Sequence, residues 1–228
     1  MTTACPLNVG GLTRFSTIDY PGHVSAVVFC QGCPWRCTYC HNTELQPRDC
    51  AMVIPWQEIT EWLDNRRGLL EAVVFSGGEP LLQRGLAWAM HEVRAMGYRI
   101  ALHTAGIYPD RLAGVLPLVD WIGFDVKAPF CDYPRITQAP DKHNGSGIRR
   151  ALSFVLASGK PHEVRCTVDE GELGTDDAER MARQIAEMGV NRLVLQPRRD
   201  ASGRSKPISE AFVGAMKAWI PNLELRSA

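Results

Sequence analysis

Short apolar runs alternate with longer amphipathic stretches along most of the chain. Val24–Phe29, Ala72–Ser76, Arg99–His103, Trp121–Asp125, Glu163–Val168 and Arg192–Gln196 read as strands, with a possible last strand at Leu223–Arg226. Continuous apolar runs of this kind suit strands buried on both faces. Between them, apolar positions at helical spacing predict helices over Pro55–Arg66, Leu81–Met96, Pro109–Leu116, Gly147–Leu156, Asp176–Met188 and Ser209–Trp219. Several open on Pro or a small polar residue and close on Gly, as at Met96-Gly97, Ser158-Gly159 and Met188-Gly189. Strands alternating with helices predict βα units and a parallel sheet. About six units are too few for the eight of a closed barrel, which leaves an open partial barrel or a doubly wound sheet. The long irregular segments are Pro129–Ser146 and Arg198–Pro207.

Length and composition narrow the class. A chain of 228 residues with 45% hydrophobic and 22% charged residues is an ordinary globular one, and one domain over 1–228 is expected. Residues 1–22 form an N-terminal extension, 23–197 the core, and 198–228 a C-terminal helix and strand. Lys+Arg 25 balances Asp+Glu 25, so the charge calls for neither nucleic acid nor an anionic membrane. No apolar run approaches the roughly 20 residues of a membrane span. Met1–Gly11 has neither a basic nor an apolar leader region, so a reducing, cytoplasmic location is expected.

The cysteines change the picture. Of eight, Cys30, Cys33, Cys37 and Cys40 fall in one short segment, while Cys5, Cys50, Cys131 and Cys166 are scattered. Clustered thiols in a reducing compartment point to a metal rather than to disulfides. The segment follows a predicted strand, where parallel βα folds place their chemistry. The pairs Cys30/Cys33 and Cys37/Cys40 are only three residues apart, too close for the two knuckles of a zinc finger. A short loop wraps a polynuclear iron–sulfur cluster more readily, since such a cluster offers several irons.

Cys33-x3-Cys37-x2-Cys40, with Tyr39 before the last cysteine, resembles the radical S-adenosylmethionine (SAM) superfamily. The resemblance implies a partial βα barrel of about six parallel strands. It implies a [4Fe–4S] cluster on Cys33, Cys37 and Cys40, one iron left open for SAM, and reductive cleavage of SAM to a 5′-deoxyadenosyl radical. Cys30 is then expected to be a small buried residue at the strand end. Gly77-Gly78-Glu79-Pro80 matches the family's segment that meets the SAM amino group. Thr104 begins a Thr-Ala-Gly where relatives carry Thr-Asn-Gly, and Ala105 departs from that pattern. Asp125 and Lys127 stand where activating members of the family contact SAM. Arg165 stands where relatives carry an Arg for the SAM carboxylate, and Gln196 at an adenosine-side contact.

Gly10–Gly22 and Tyr39-Cys40-His41-Asn42 resemble one branch in particular, the anaerobic ribonucleoside-triphosphate reductase activating proteins. That branch implies a large glycyl-radical enzyme as partner and a flavodoxin- or ferredoxin-type electron donor. Two other readings stand beside it. One is a radical SAM enzyme acting on a small molecule or nucleoside, because the shared motifs concern SAM and not substrate. The other is a non-enzymatic iron–sulfur carrier with Cys30 as fourth ligand. Cys50, Cys131 and Cys166 lack the spacing of a second cluster. The basic loop Arg198, Arg199, Arg204 and Lys206 reads most simply as solvated.

Overall fold

A computed structural model describes residues 7–49, 54–138, 145–200 and 202–226. Eight strands form one sheet in chain order: β1 (Val9–Ser16), β2 (Ser25–Cys30), β3 (Ala72–Gly77), β4 (Arg99–Thr104), β5 (Trp121–Asp125), β6 (His162–Val168), β7 (Arg192–Pro197) and β8 (Asn222–Leu225). β1 is antiparallel to β2, and every later neighbouring pair is parallel. The crossovers carry α1 (Trp56–Asp64), α2 (Leu86–Ala95), α3 (Pro109–Val115), α4 (Tyr133–Thr137), α5 (Gly145–Ala157), α6 (Thr175–Glu187) and α7 (Glu210–Lys217). Each crossover advances the sheet by one strand in the same direction. That is how a barrel winds, whereas a doubly wound sheet reverses its order midway. Among the described residues no pairing joins β8 back to β1, so the α/β barrel is open.

The parallel strands number seven, β8 being the possible last strand of the sequence. β1 was not expected: residues 9–16 belong to the same sheet rather than to an appended extension. Its sequence, VGGLTRFS, mixes two glycines and polar residues, so it carries no period-two signal. The ladder with β2 makes it a strand. The helix expected over Leu81–Met96 is divided into a 3₁₀ turn at Pro80–Leu82 and α2 from Leu86. Glu79 caps that turn by accepting from the Leu81 amide at 3.0 Å, and Gly85 precedes α2.

The two faces of the sheet bury different things. Val28, Val73, Phe75, Ile100, Leu102, Ile122, Phe124, Leu193 and Leu195 pack beneath the helices with Leu63, Met90, Leu152, Ile185 and Phe212. On the concave face Val27, Ala72, Val74, Ala101 and Trp121 form a smaller cluster closed by Tyr20. Tyr20 lies in the β1–β2 connection, and its ring stacks on Trp121 with centroids 5.6 Å apart. Beside it, His103 Nε2 donates to the Asp19 carbonyl at 2.7 Å. Residues 17–23 thus plug the apolar side of the open barrel. From β5 onward the concave face turns charged, with Asp125, Glu163 and Arg165 in register across β5 and β6. No helix is long and apolar enough to cross a membrane among the described residues.

Candidate active site

The cysteine loop leaves the C-terminal end of β2 and is tied down on two sides. Gly32 N donates to Leu45 O at 2.7 Å, and Cys33 N to Gln46 O at 3.0 Å. The Gln31 amide donates to the Glu44 and Pro47 carbonyls at 3.0 and 2.8 Å. On the other side Arg36 N reaches Thr137 O at 2.8 Å, docking the loop on α4. Cys33, Cys37 and Cys40 line one cavity with Tyr39, His41, Gly77, Gly78, Glu79, Thr104, Asp125, Lys127 and Arg165. Cys30 is fully buried in the helix-side core and does not line it. Cys131 is exposed and Cys166 buried on β6; Cys5 and Cys50 lie outside the described residues.

The two glycines at the end of β3 serve the loop. A Cβ on Gly78 would collide with the Gly32 carbonyl and come within 2.8 Å of Leu45 O. Gly77 takes φ +113°, a region that disfavours side chains, and packs its Cα against the Cys30 backbone. Their first role is therefore to let the strand end meet the cysteine loop; both also border the cavity.

Glu79 is 1% exposed. Its Oε1 accepts from Thr104 Oγ1 at 2.7 Å and from Leu81 N at 3.0 Å, and its Oε2 from Ala105 N at 3.1 Å. All three donors are neutral, and no basic side chain pairs with it among the described residues. Burial outweighs these hydrogen bonds and pushes the carboxyl up to about 7. At position 105 the backbone amide makes the contact, so the Ala found there costs the site no hydrogen bond.

Arg165 is the opposite case. It is 9% exposed, and its Nε donates to Asp125 Oδ1 at 2.9 Å. Its two terminal nitrogens have no protein acceptor among the described residues and stay open to the cavity that Arg165 lines. Lys127 Nζ lies 3.9 Å from Asp125 Oδ2 and 5.8 Å from the Tyr39 ring centre. Burial alone would raise the Asp125 carboxyl, but Arg165 and Lys127 prevail and hold it below the ordinary range. Burial works against the Lys127 ammonium, and the Asp125 carboxylate is the main group that outweighs it, so the amine is held above its usual value.

The cavity also contains residues that sequence reasoning did not single out, among them Ser76, His103 and Thr167. His103 is the telling one. Its Nε2 must donate to the Asp19 carbonyl, so Nδ1 is the bare nitrogen and faces Ser76 Oγ at 3.5 Å. Burial, then Arg165, pushes it down to about 3, so it is neutral. A histidine closing the apolar run Ile100–Leu102 was the available signal. Gln196 pairs in register with Thr167 but does not line the cavity.

The residues fit an iron–sulfur cluster and SAM. Burial raises the Cys33 thiol to about 12 and the Cys37 thiol above its normal value, so metal must displace protons there. No three His, Cys, Asp or Glu side chains among the described residues are gathered for a single ion. Three thiols spread round one cavity suit a cluster whose separate irons each take one thiolate. The Tyr39 hydroxyl and Trp35 Nε1, both within the cysteine loop, are buried without hydrogen-bond partners among the described residues.

Comparison with known proteins agrees with this geometry. The chain is 28% identical over 185 residues to a Methanocaldococcus jannaschii protein named as a glycyl-radical enzyme activating enzyme, covering 78% of this chain and 75% of that one. It is 27% identical over 200 residues to the 7-carboxy-7-deazaguanine synthase of Methanopyrus kandleri, again covering 78% and 75%. Further curated relatives are matched over only about half of their own length. A radical SAM methyltransferase structure from Sphaerobacter thermophilus shares the fold, with a TM-score of 0.66 at 18% identity, covering 98% of this chain and 77% of that one. Residues 27–172, well over half of the chain, match the Radical SAM superfamily profile, and with the three thiols at the mouth of an open barrel the chain belongs to that superfamily.

Proposed function

We propose that this chain holds a [4Fe–4S] cluster on Cys33, Cys37 and Cys40, cleaves SAM reductively, and installs a radical on a glycine of a large partner enzyme. One observation carries the SAM reading. Among the described residues, the cavity holds a carboxylate without a counter-cation, Glu79, and a guanidinium whose terminal donors find no protein acceptor, Arg165. A ligand bearing both an ammonium and a carboxylate satisfies both, and the amino-acid end of SAM is such a ligand. Glu79 receives the ammonium, and Arg165, oriented by Asp125 and flanked by Lys127, takes the carboxylate bidentately. The thiolates of Cys33, Cys37 and Cys40 hold the metal, and Tyr39 backs the loop. The cluster, when bound, supplies the electron that breaks the sulfonium carbon–sulfur bond. Trp35, Ala105 and Ile107 on the cavity wall exclude water from that step. Thr167, which lines the cavity beside Arg165, is left for the adenosine side, while Gln196 stays outside the lining.

The partner reading rests on the Gly10–Gly22 and Cys40-His41-Asn42 segments and on the name of the M. jannaschii relative. A large reductase of the anaerobic ribonucleoside-triphosphate type is the expected target, with a flavodoxin- or ferredoxin-type protein as electron source. The likeness to a 7-carboxy-7-deazaguanine synthase favours a second reading, direct action on a small heterocycle. Iron-loaded, reduced protein with SAM should yield 5′-deoxyadenosine and methionine. With a co-occurring large reductase it should also yield a glycyl radical visible by electron paramagnetic resonance, and deuterium on that glycine should pass into 5′-deoxyadenosine. Deuterium arriving from a small molecule with no partner present would establish the second reading instead. Iron-loaded protein that never cleaves SAM would end both.

A further inference from the structure

We infer that Gly123 is a positioning residue for Arg165, its missing side chain forming the seat on which the guanidinium lies. The inference rests on the assignment of Arg165 to the SAM carboxylate. Gly123 is the middle residue of β5, a central strand, where glycine packs nothing and weakens the strand. Its φ is not positive, so the backbone there accepts any residue. What its Cβ would meet explains the glycine: Arg165 Cζ and Nη1 at 2.9 Å and Nη2 at 3.0 Å, the three nearest atoms. The guanidinium therefore lies against the bare backbone of β5, reaching across from β6.

The neighbouring side chains frame this seat. His103 is in register with Gly123 on β4, and Trp121 and Asp125 share its face two residues before and after. Those side chains wall a hollow that only a glycine leaves open. With the head group seated there, Nε meets Asp125 Oδ1 at 2.9 Å, and the two terminal nitrogens, without a protein acceptor among the described residues, are open to a ligand. Alanine at 123 meets only the tip of a flexible side chain. The sheet therefore persists while the guanidinium is lifted toward the cavity, where its fork no longer matches the carboxylate. This differs from Gly77 and Gly78, whose Cβ atoms would strike backbone.

The test measures binding of SAM and of decarboxylated SAM to the anaerobic, iron-loaded protein, with urea unfolding as the check on folding. Arg165→Met should weaken SAM by about 10–100-fold, the range for a hydrogen-bonded charged partner, and leave the decarboxylated analogue unchanged. Gly123→Ala should weaken SAM by about 5–20-fold, since displacements well under an ångström already degrade a bidentate contact, again sparing the analogue. In the Arg165→Met background the Gly123→Ala change should cost nothing further. If Arg165→Met fails to discriminate the two ligands, the assignment of Arg165 to the carboxylate is wrong. If it discriminates but Gly123→Ala binds like wild type, or adds its full loss in the Arg165→Met background, the role of Gly123 is refuted and that of Arg165 stands. Should Gly123→Ala fail to fold while the double variant folds, the clash with Arg165 is demonstrated. Failure of both to fold refutes the inference.

Discussion

Glu79 and His103 are buried in the same cavity with opposite consequences for pH. The folded carboxyl titrates near 7, above its ordinary 4.5, so its contribution to stability is full below pH 4.5 and is lost as pH rises to 7. The folded imidazole titrates near 3, below its ordinary 6.5, so its contribution is full above pH 6.5 and is lost as pH falls toward 3. The two slopes oppose each other between pH 4.5 and 6.5, and only variants separate them. Against Glu79→Gln, wild type should lose about 3 kcal/mol between pH 4.5 and 7 in urea unfolding of the metal-free protein. Against His103→Gln, it should lose about 3 kcal/mol between pH 6.5 and 4.5. Profiles that run parallel to wild type would show that neither group titrates as its burial requires. Glu79 could be picked out in the sequence because Gly77-Gly78-Glu79-Pro80 is a contiguous pattern. His103 left only a weak signal, a histidine closing the apolar run Ile100–Leu102, because its role depends on Asp19 and Ser76, which only the fold brings to it.

Among the elements, the end of β3 decides whether the cysteine loop can close. Gly78 N donates to Cys30 O at 2.9 Å and Glu79 N to Gly32 O at 3.0 Å, so two backbones touch with no room for a methyl group. Gly78→Ala should destabilise the metal-free protein by about 1–3 kcal/mol, the usual cost of overpacking, and should also lower iron incorporation. A variant with wild-type unfolding and full iron content would show that the loop does not need this contact. The central strands were readable because burial on both faces gives continuous apolar runs, such as Val24–Phe29 and Trp121–Asp125. β1 was not, because an edge strand is specified by its partner. The start of α2 was displaced for a similar reason: the side chain of Glu79 and the tie from Gln83 to the Gln31 carbonyl shape the turn before it.

For the molecule as a whole, an open barrel must cover the apolar half of its concave face. Tyr20, 5% exposed, does this against Trp121 while the adjacent Asp19 carbonyl holds His103. Tyr20→Ala should cost about 3–5 kcal/mol, as other large-to-small core changes do, and the urea-unfolding midpoint should fall accordingly. A loss within 0.5 kcal/mol, the range of ordinary surface substitutions, would mean that the connection does not close the barrel. The segment Gly10–Gly22, which suggested a branch of the family by resemblance, thus has a structural task as well: it supplies both the edge strand and the plug.

The amino-acid sequence alone determined the βα alternation and the three-cysteine loop at the end of the first parallel strand, while the family resemblance carried by its motifs pointed to Glu79, Asp125, Lys127 and Arg165. Those properties are local, since periodicity, spacing and contiguous motifs are written within a few residues. Tertiary structure decided the rest: the winding in one direction that makes an open barrel, the placement of β1, the exclusion of Cys30 and Gln196 from the cavity lining, and the entry of Ser76, His103 and Thr167 into it. It also decided why position 123 is glycine, because the group that fills its space arrives from β6. Each of these depends on contacts between residues far apart in the chain, which pattern along the chain does not encode.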